Sequence, residues 1–154
     1  MTTQTRIAVV GFGLVGRRHV DVLKASPGVA VASVVEADDK GRRDAEDLGL
    51  RVFASLDDMF AADRPDGVLL ATPTPLHVDQ GMQCIQRGCP TLIEKPISVT
   101  SGEALQLTNA AELAGVPLLV GHHRRHNGMV QAAKVALSEG LVGDIRAVQT
   151  TCWF

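Results

Sequence analysis

Arg6-Ile7-Ala8-Val9-Val10-Gly11-Phe12-Gly13-Leu14-Val15-Gly16-Arg17-Arg18 is a short apolar run, three glycines at G-x-G-x-x-G spacing, and the start of a helical period. Each glycine has its own task in such a turn. The first bends the chain tightly, the second lets backbone approach a pyrophosphate, and the third lets helix and strand pack closely. Phosphates bound there sit at a helix N-terminus, where unpaired N–H groups and the macrodipole favour negative charge. Twenty residues past Gly16, Glu36 closes the second apolar run, where a carboxylate can accept both ribose hydroxyls of an adenosine and repel a 2′-phosphate. Strand, turn, helix and acid together predict a dinucleotide site. Gly11, Phe12, Gly13, Leu14, Val15, Gly16 and Glu36 are its expected cofactor-binding residues, and NAD is favoured over NADP. Arg42 and Arg43, a few residues on, read either as solvated helix charges or as partners for a 2′-phosphate.

Outward from this turn, apolar runs recur at 6–10, 30–35, 51–54, 68–71, 91–94 and 118–121, with segments of helical period between them at 14–25, 39–48, 56–62, 76–87, 102–114 and 129–139. The strands are nearly continuous in apolar residues rather than alternating, which argues for an α/β doubly wound parallel sheet (a Rossmann fold) with helices on both faces. Thr74-Pro75 reads as a helix N-cap and first-turn proline. Thr100 and Glu103 stand at capping-box spacing, and Gly49, Gly88, Gly115 and Gly140 each follow a helical run. No linker or repeat interrupts the pattern, so residues 1–143 are expected to form one dinucleotide-binding domain. Residues 144–154, with Ile145, Ala147, Val148, Trp153 and Phe154, read as one more strand that opens a second, truncated domain, since an apolar strand normally has a partner.

Composition narrows the partners. The 154 residues are 45% hydrophobic and carry 15 basic against 17 acidic side chains, a net charge of -2 that gives no electrostatic footprint for nucleic acid or an anionic membrane. Aromatic residues are only 3%, too few for base-stacking platforms. The longest apolar runs fall far short of a membrane span and the N-terminus reads as a strand leader, so a cytoplasmic protein is expected. Cys84, Cys89 and Cys152 are odd in number and lack C-x-x-C spacing, which suggests neither a disulfide framework nor a thiolate metal site.

Ligands of open α/β sheets lie outside the carboxyl ends of the strands, and three clusters occupy those positions. Ala71-Thr72-Pro73-Thr74-Pro75-Leu76-His77 follows the fourth strand; a rigid, capped turn and a cofactor contact account equally well for Thr72, Pro73 and His77. Glu94-Lys95-Pro96 follows the fifth. A lysine there lies near the nicotinamide end of a dinucleotide draped over the rim, where it can exchange a proton with a substrate hydroxyl, although strand-end lysines are commonly solvated. Gly121-His122-His123-Arg124-Arg125-His126 follows the sixth. Its imidazoles match no common zinc spacing, so the cluster reads as polar cleft lining and no metal is expected.

Taken together, these motifs resemble the Gfo/Idh/MocA oxidoreductases, the family of glucose-fructose oxidoreductase and inositol 2-dehydrogenase. The resemblance rests on the glycine turn followed by His19, on Glu36, Ser55-Leu56-Asp57-Asp58-Met59, Ala71-Thr72-Pro73 with His77, Glu94-Lys95-Pro96, Gly121-His122 with Arg125, and Gly140-Leu141-Val142-Gly143. It implies that Lys95 is catalytic and touches both substrate and the nicotinamide ribose, with Ala71, Thr72, Pro73, His77, Glu94 and Pro96 beside the cofactor, and His122 and Arg125 on the substrate. It further implies a cis Lys95–Pro96 bond, hydride transfer between NAD(P) and a sugar, polyol or related hydroxy compound, homo-oligomers of the intact protein, and a second domain that supplies an Asp and a His. Gly128 departs from the proline usual at that position. The 154-residue chain alone is expected to bind cofactor without turnover. The alternative is a non-enzymatic NAD-binding sensor or regulatory module.

Overall fold

The computed structural model describes residues 4–151, as two compact units divided between Gly121 and His122. The first unit is a parallel sheet of six strands: β1 Thr5–Val10, β2 Val29–Val35, β3 Val52–Phe53, β4 Gly67–Leu70, β5 Thr91–Ile93 and β6 Leu118–Val120, in the order β3-β2-β1-β4-β5-β6. The crossover helices are α1 Leu14–Ala25, α2 Asp39–Glu46, α3 Leu56–Ala62, α4 His77–Gln86 and α5 Ser101–Ala114. This is the doubly wound parallel architecture expected from the alternation of periods. Its chain order reverses between β1 and β4, so the loops after those two strands diverge around a crevice.

Strand residues alternate between two apolar cores, one on each face. Ala8, Val10, Val68, Leu70 and Ile93 face Met59, Cys84, Ile85, Leu107 and Ala111, whereas Val9, Val34 and Leu69 face Phe12, Val20 and Ala45. With both faces covered, both parities of position are predominantly apolar, which is why the strands read as nearly continuous apolar runs; Ser33 in β2 and Thr91 in β5 are the buried polar exceptions among the described residues. Helix α4 approaches closely at Gly81, where an added Cβ would lie 3.1 Å from Ile93 and Leu107.

The helix signals hold at most ends. Thr100 and Glu103 form a reciprocal capping box, and Gly49, Gly88, Gly115 and Gly140 all have positive φ. Thr74 is different. It begins a 3₁₀ turn, Thr74–Leu76, whose N-cap is Pro73, and α4 starts only at His77. Pro75 has no N–H to give to a helical ladder, so the chain makes one tight turn before regular α bonding begins.

The second unit holds a 3₁₀ turn, His123–His126, and helix α6, Gly128–Ser138, capped by the Asn127 side chain. Its described side chains are exposed except for that of Ala136. The second unit begins within the span 1–143 that the pattern assigns to one domain, and α6 supplies the last helical period of that span. The strand expected over 145–154 is absent from 145–151, which are irregular and exposed: a strand needs a hydrogen-bonded neighbour, and these residues have none. The rest of that expectation, 152–154, lies outside the described residues. No helix among the described residues is long and apolar enough to cross a membrane.

Candidate dinucleotide site at the carboxyl rim of the sheet

The loops after β1 and β4 meet at the switch point. Gly11 has φ +90°, and a Cβ on it would lie 2.8 Å from the Ala71 carbonyl oxygen, so the first glycine is required both by its backbone angle and by the neighbouring loop. Gly16 has no more room. Its Cβ would fall 1.9 Å from the Gly11 carbonyl oxygen. Gly13 contrasts with both, since a Cβ there meets no protein atom within 4 Å and points to open space. Gly13 is also the N-cap of α1, has no side-chain capping bond, and is followed by a first turn without an acidic residue. The helix therefore presents its first N–H groups and the positive end of its dipole without a partner.

Beside this helix end lies a groove of about 640 Å³, lined by Gly11, Gly13, Leu14, Val15 and Glu36 on one side and by Ala71, Thr72 and Pro73 on the other. Glu36, at the end of β2, is held by its own surroundings: Oε2 accepts from the Phe12 N–H at 2.6 Å and Oε1 from the Asp38 N–H at 2.9 Å. Each carboxylate oxygen has a further lone pair, so the group retains acceptor capacity toward the groove. Gly41 makes space for it. A Cβ at Gly41 would come within 2.7 Å of the Glu36 side chain, which accounts for a glycine inside α2. Arg42 donates to the carbonyls of Glu36 and Ala37 and pairs with Asp39, so its guanidinium braces the β2–α2 turn.

Several expected cofactor residues serve the groove without lining it. The Phe12 side chain is buried in a core, with the Arg17 guanidinium 4.4 Å over its ring, and only its backbone N–H serves the loop. Gly16 is buried and keeps helix against strand. Glu94 is not part of the groove lining: one oxygen lies 2.9 Å from His19 Nε2 on α1 and the other accepts the Lys95 N–H at 3.1 Å. His77, expected at the cofactor, is 1% exposed, with its ring nitrogens 2.8 Å from the carbonyl oxygens of Pro96 and Thr72. It lies below the surface because α4 begins there and its first turn packs between the β4 and β5 ends.

Lys95 is exposed at the end of β5, its ammonium has no hydrogen-bond or ion-pair partner among the described residues, and the Lys95–Pro96 peptide is cis. His122 and Arg125 belong to the second unit, where the Arg125 N–H bonds back to the His122 carbonyl and both side chains are exposed. No group of three His, Cys, Asp or Glu able to hold a metal ion occurs among the described residues. Ser55, Asp57 and Gln80 also line the groove. Motif spacing points at none of them as a ligand: Ser55 is an evident N-cap, and Gln80 is found only by placing α4, where it accepts the Thr72 hydroxyl at 2.6 Å.

The buried thiols are inert features of the core. Burial pushes Cys84 up to about 12 and Cys89 above its ordinary value. At the far end of the sheet, the Arg6 guanidinium hydrogen-bonds Asp63 at 2.6 Å and holds that carboxyl below the usual carboxylate range.

Comparison with known proteins agrees with this geometry. Residues 5–122 match the Gfo/Idh/MocA oxidoreductase family's NAD-binding Rossmann fold. The chain is 33% identical over 151 residues to the rhizopine catabolism protein MocA of Rhizobium meliloti, covering 98% of this chain and 48% of that protein. It is 35% identical over 144 residues to an inositol 2-dehydrogenase of Rhodococcus erythropolis, covering 90% and 41%. Among solved structures, the WlbA dehydrogenase of Bordetella pertussis, in complex with NADH and UDP-GlcNAcA, superposes with a TM-score of 0.86 at 29% identity, over 91% of this chain and 43% of that one. The chain thus spans about half the length of the relatives it matches.

Proposed function

The chain belongs to the Gfo/Idh/MocA oxidoreductase family, and on that premise we propose that its groove takes NAD in preference to NADP as the cofactor half of a dehydrogenase acting on a sugar, polyol or related hydroxy compound. The observation that carries the reading is the open space over Gly13 at the uncapped N-terminus of α1, with the Glu36 carboxylate lining the same groove. A diphosphate is the group that such an end accepts, and a diol is the group that such a carboxylate accepts. The preference for NAD rests on charge. Glu36 repels a 2′-phosphate, and Arg42, the nearby cation that could offset it, is committed to two carbonyls and Asp39.

The cofactor, when bound, supplies the nicotinamide carbon that accepts or returns a hydride. The protein's part is placement and proton handling. Backbone N–H groups at Gly13, Leu14 and Val15 hold the diphosphate, and Glu36 fixes the adenosine ribose. Lys95, exposed and unpaired at the β5 end, donates a hydrogen bond to the substrate oxygen and shares in moving its proton, general acid–base help worth about 10²- to 10⁴-fold. His122 and Arg125 contribute polar contacts to the substrate. Water exclusion and the remainder of the substrate pocket come from residues beyond this chain, so the chain by itself binds cofactor without turnover. The intact protein is a cytoplasmic homo-oligomer in this reading.

Titration calorimetry of the 154-residue chain tests the proposal. NADH should bind, and NADPH should bind at least tenfold more weakly. Absence of binding heat with both nucleotides removes the cofactor assignment, and tighter binding of NADPH reverses the assigned role of Glu36.

A further inference from the structure

His77 is among the largest side chains that are fully buried in the protein, and it is the one ionisable ring among them. Its two nitrogens face two different loops: Nδ1 lies 2.8 Å from the Pro96 carbonyl oxygen and Nε2 lies 2.8 Å from the Thr72 carbonyl oxygen. Carbonyl oxygens only accept, so the ring bonds both loops at once as the imidazolium, in which both nitrogens carry hydrogen, whereas the neutral ring bonds one carbonyl and packs against the other. Thr72 is held a second time, through its hydroxyl, by Gln80, one turn along the same face of α4. The first turn of α4 therefore grips the loop after β4 by backbone and side chain, and grips the loop after β5 at the residue next to Lys95. Those loops carry the groove wall at Thr72–Pro73 and the lysine assigned to proton transfer.

We infer that His77 is a positioning residue for Lys95: its ring fastens the backbone at Lys95–Pro96 to the backbone at Thr72–Pro73, and so fixes the lysine relative to the cofactor groove. The inference rests on the functional reading given above and deepens it. An apolar side chain could fill the same volume, but it would bond neither loop. Between β4 and β5 the sheet supplies ladder bonds only as far as Glu94, whose N–H donates to Leu70 O; beyond that point the His77 ring bridges the two loops.

Lys95 is one of four lysines in the chain, with Lys24, Lys40 and Lys134, so reductive ¹³C-methylation yields few NMR signals, and Lys95→Arg identifies the one that matters. NAD⁺ brings the charged nicotinamide ring to the lysine, and ADP-ribose lacks that ring. In the unsubstituted chain the Lys95 methyl signal should shift on saturation with NAD⁺ and stay within a small fraction of that shift with ADP-ribose. In His77→Leu the NAD⁺-induced shift should fall to less than half, while ADP-ribose affinity stays within twofold. His77→Phe, which fills the ring's volume and donates to neither carbonyl, should behave likewise and serves where the leucine variant does not fold. A folded variant whose Lys95 signal responds to NAD⁺ as fully as the unsubstituted chain's overturns the positioning role. A Lys95 signal that ignores NAD⁺ in the unsubstituted chain overturns the site itself, and the two failures are therefore distinct.

Discussion

Two glycines three residues apart should respond to substitution in opposite ways. At Gly16 an added Cβ lies 1.9 Å from the Gly11 carbonyl oxygen, more than 1 Å inside ordinary contact, and the obstacle is backbone that is itself pinned by the Val35 carbonyl and the Ala71 loop. Relieving that overlap requires α1 to move off the sheet, at a cost of about 3 kcal/mol or more. For a domain of this size the melting temperature should drop by about 6–12 °C. At Gly13 the same Cβ meets nothing within 4 Å, and φ is -72°, so no backbone strain opposes it. The slight loss of N-cap preference and the reduced freedom of the unfolded chain offset each other to within about 1 kcal/mol. Gly13→Val should thus melt within about 3 °C of the parent. Its binding should not survive so well. The new methyls occupy the space at the helix end, and loss of even one charge-assisted bond to phosphate costs about 1.5–3 kcal/mol, a 10- to 150-fold weaker NADH affinity. Circular dichroism melts and calorimetric titration read the two effects separately. Gly13→Val that binds NADH within threefold of the parent would refute the phosphate seat, and Gly13→Val that melts as low as Gly16→Ala would show the loop geometry to be misread.

Replacing Glu36 by Gln or Ala should weaken NADH more than NADPH in the same titrations, and equal losses would show that it does not read the ribose. The Ala variant should also melt lower, because the Phe12 and Asp38 N–H groups lose their acceptor, a penalty of about 1–3 kcal/mol for each one left unsatisfied. With its thiol pushed up to about 12, Cys84 should stay unlabelled by an aromatic disulfide reagent at pH 8 in the folded chain, as should Cys89, and both should react in urea; peptide mass mapping that finds Cys84 modified within minutes under native conditions contradicts its burial. Asp63 tests the ion pair with Arg6. Its carboxyl is held below the usual range, so its contribution is present above the unfolded value near pH 4 and is lost as pH falls through the lower folded value. Denaturant melts between pH 7 and pH 3 should therefore show the parent losing stability more steeply below about pH 4 than Asp63→Asn, and the opposite ordering would dismiss the contact.

The sheet could be read from the chain because its signals are local. Continuous apolar runs, helical periods and capping residues each depend on neighbours a few positions away, and Thr100 with Glu103 or the left-handed Gly115 needs nothing more distant. The terminal strand could not be judged that way, since strand pairing is a property of a neighbour and not of Ile145 or Val148 themselves. His77 failed for a related reason. Beside a Thr-Pro turn at a strand end, an imidazole looks like a ligand contact; only the adjacency of β4 and β5 turns it inward, between two carbonyls that are 24 residues apart in sequence.

The glycines carry the sharper distinction. Gly11, Gly13, Gly16 and Gly41 are the same letter, and the first three share one motif. Three of the four are explained by the protein alone: by a positive φ and the Ala71 carbonyl, by the Gly11 carbonyl, and by the seated Glu36 side chain. Gly13 has no such reason. Nothing in the folded chain meets a Cβ there, the backbone angle favours no glycine, and Ser, Asp or Asn would cap the helix better. Gly102 and Gly128 are as open, but Gly13 alone of the three stands at an uncapped helix N-terminus on the groove, which places its constraint outside the protein. That is why Gly13, rather than the more crowded glycines on either side of it, is the residue that argues for a ligand.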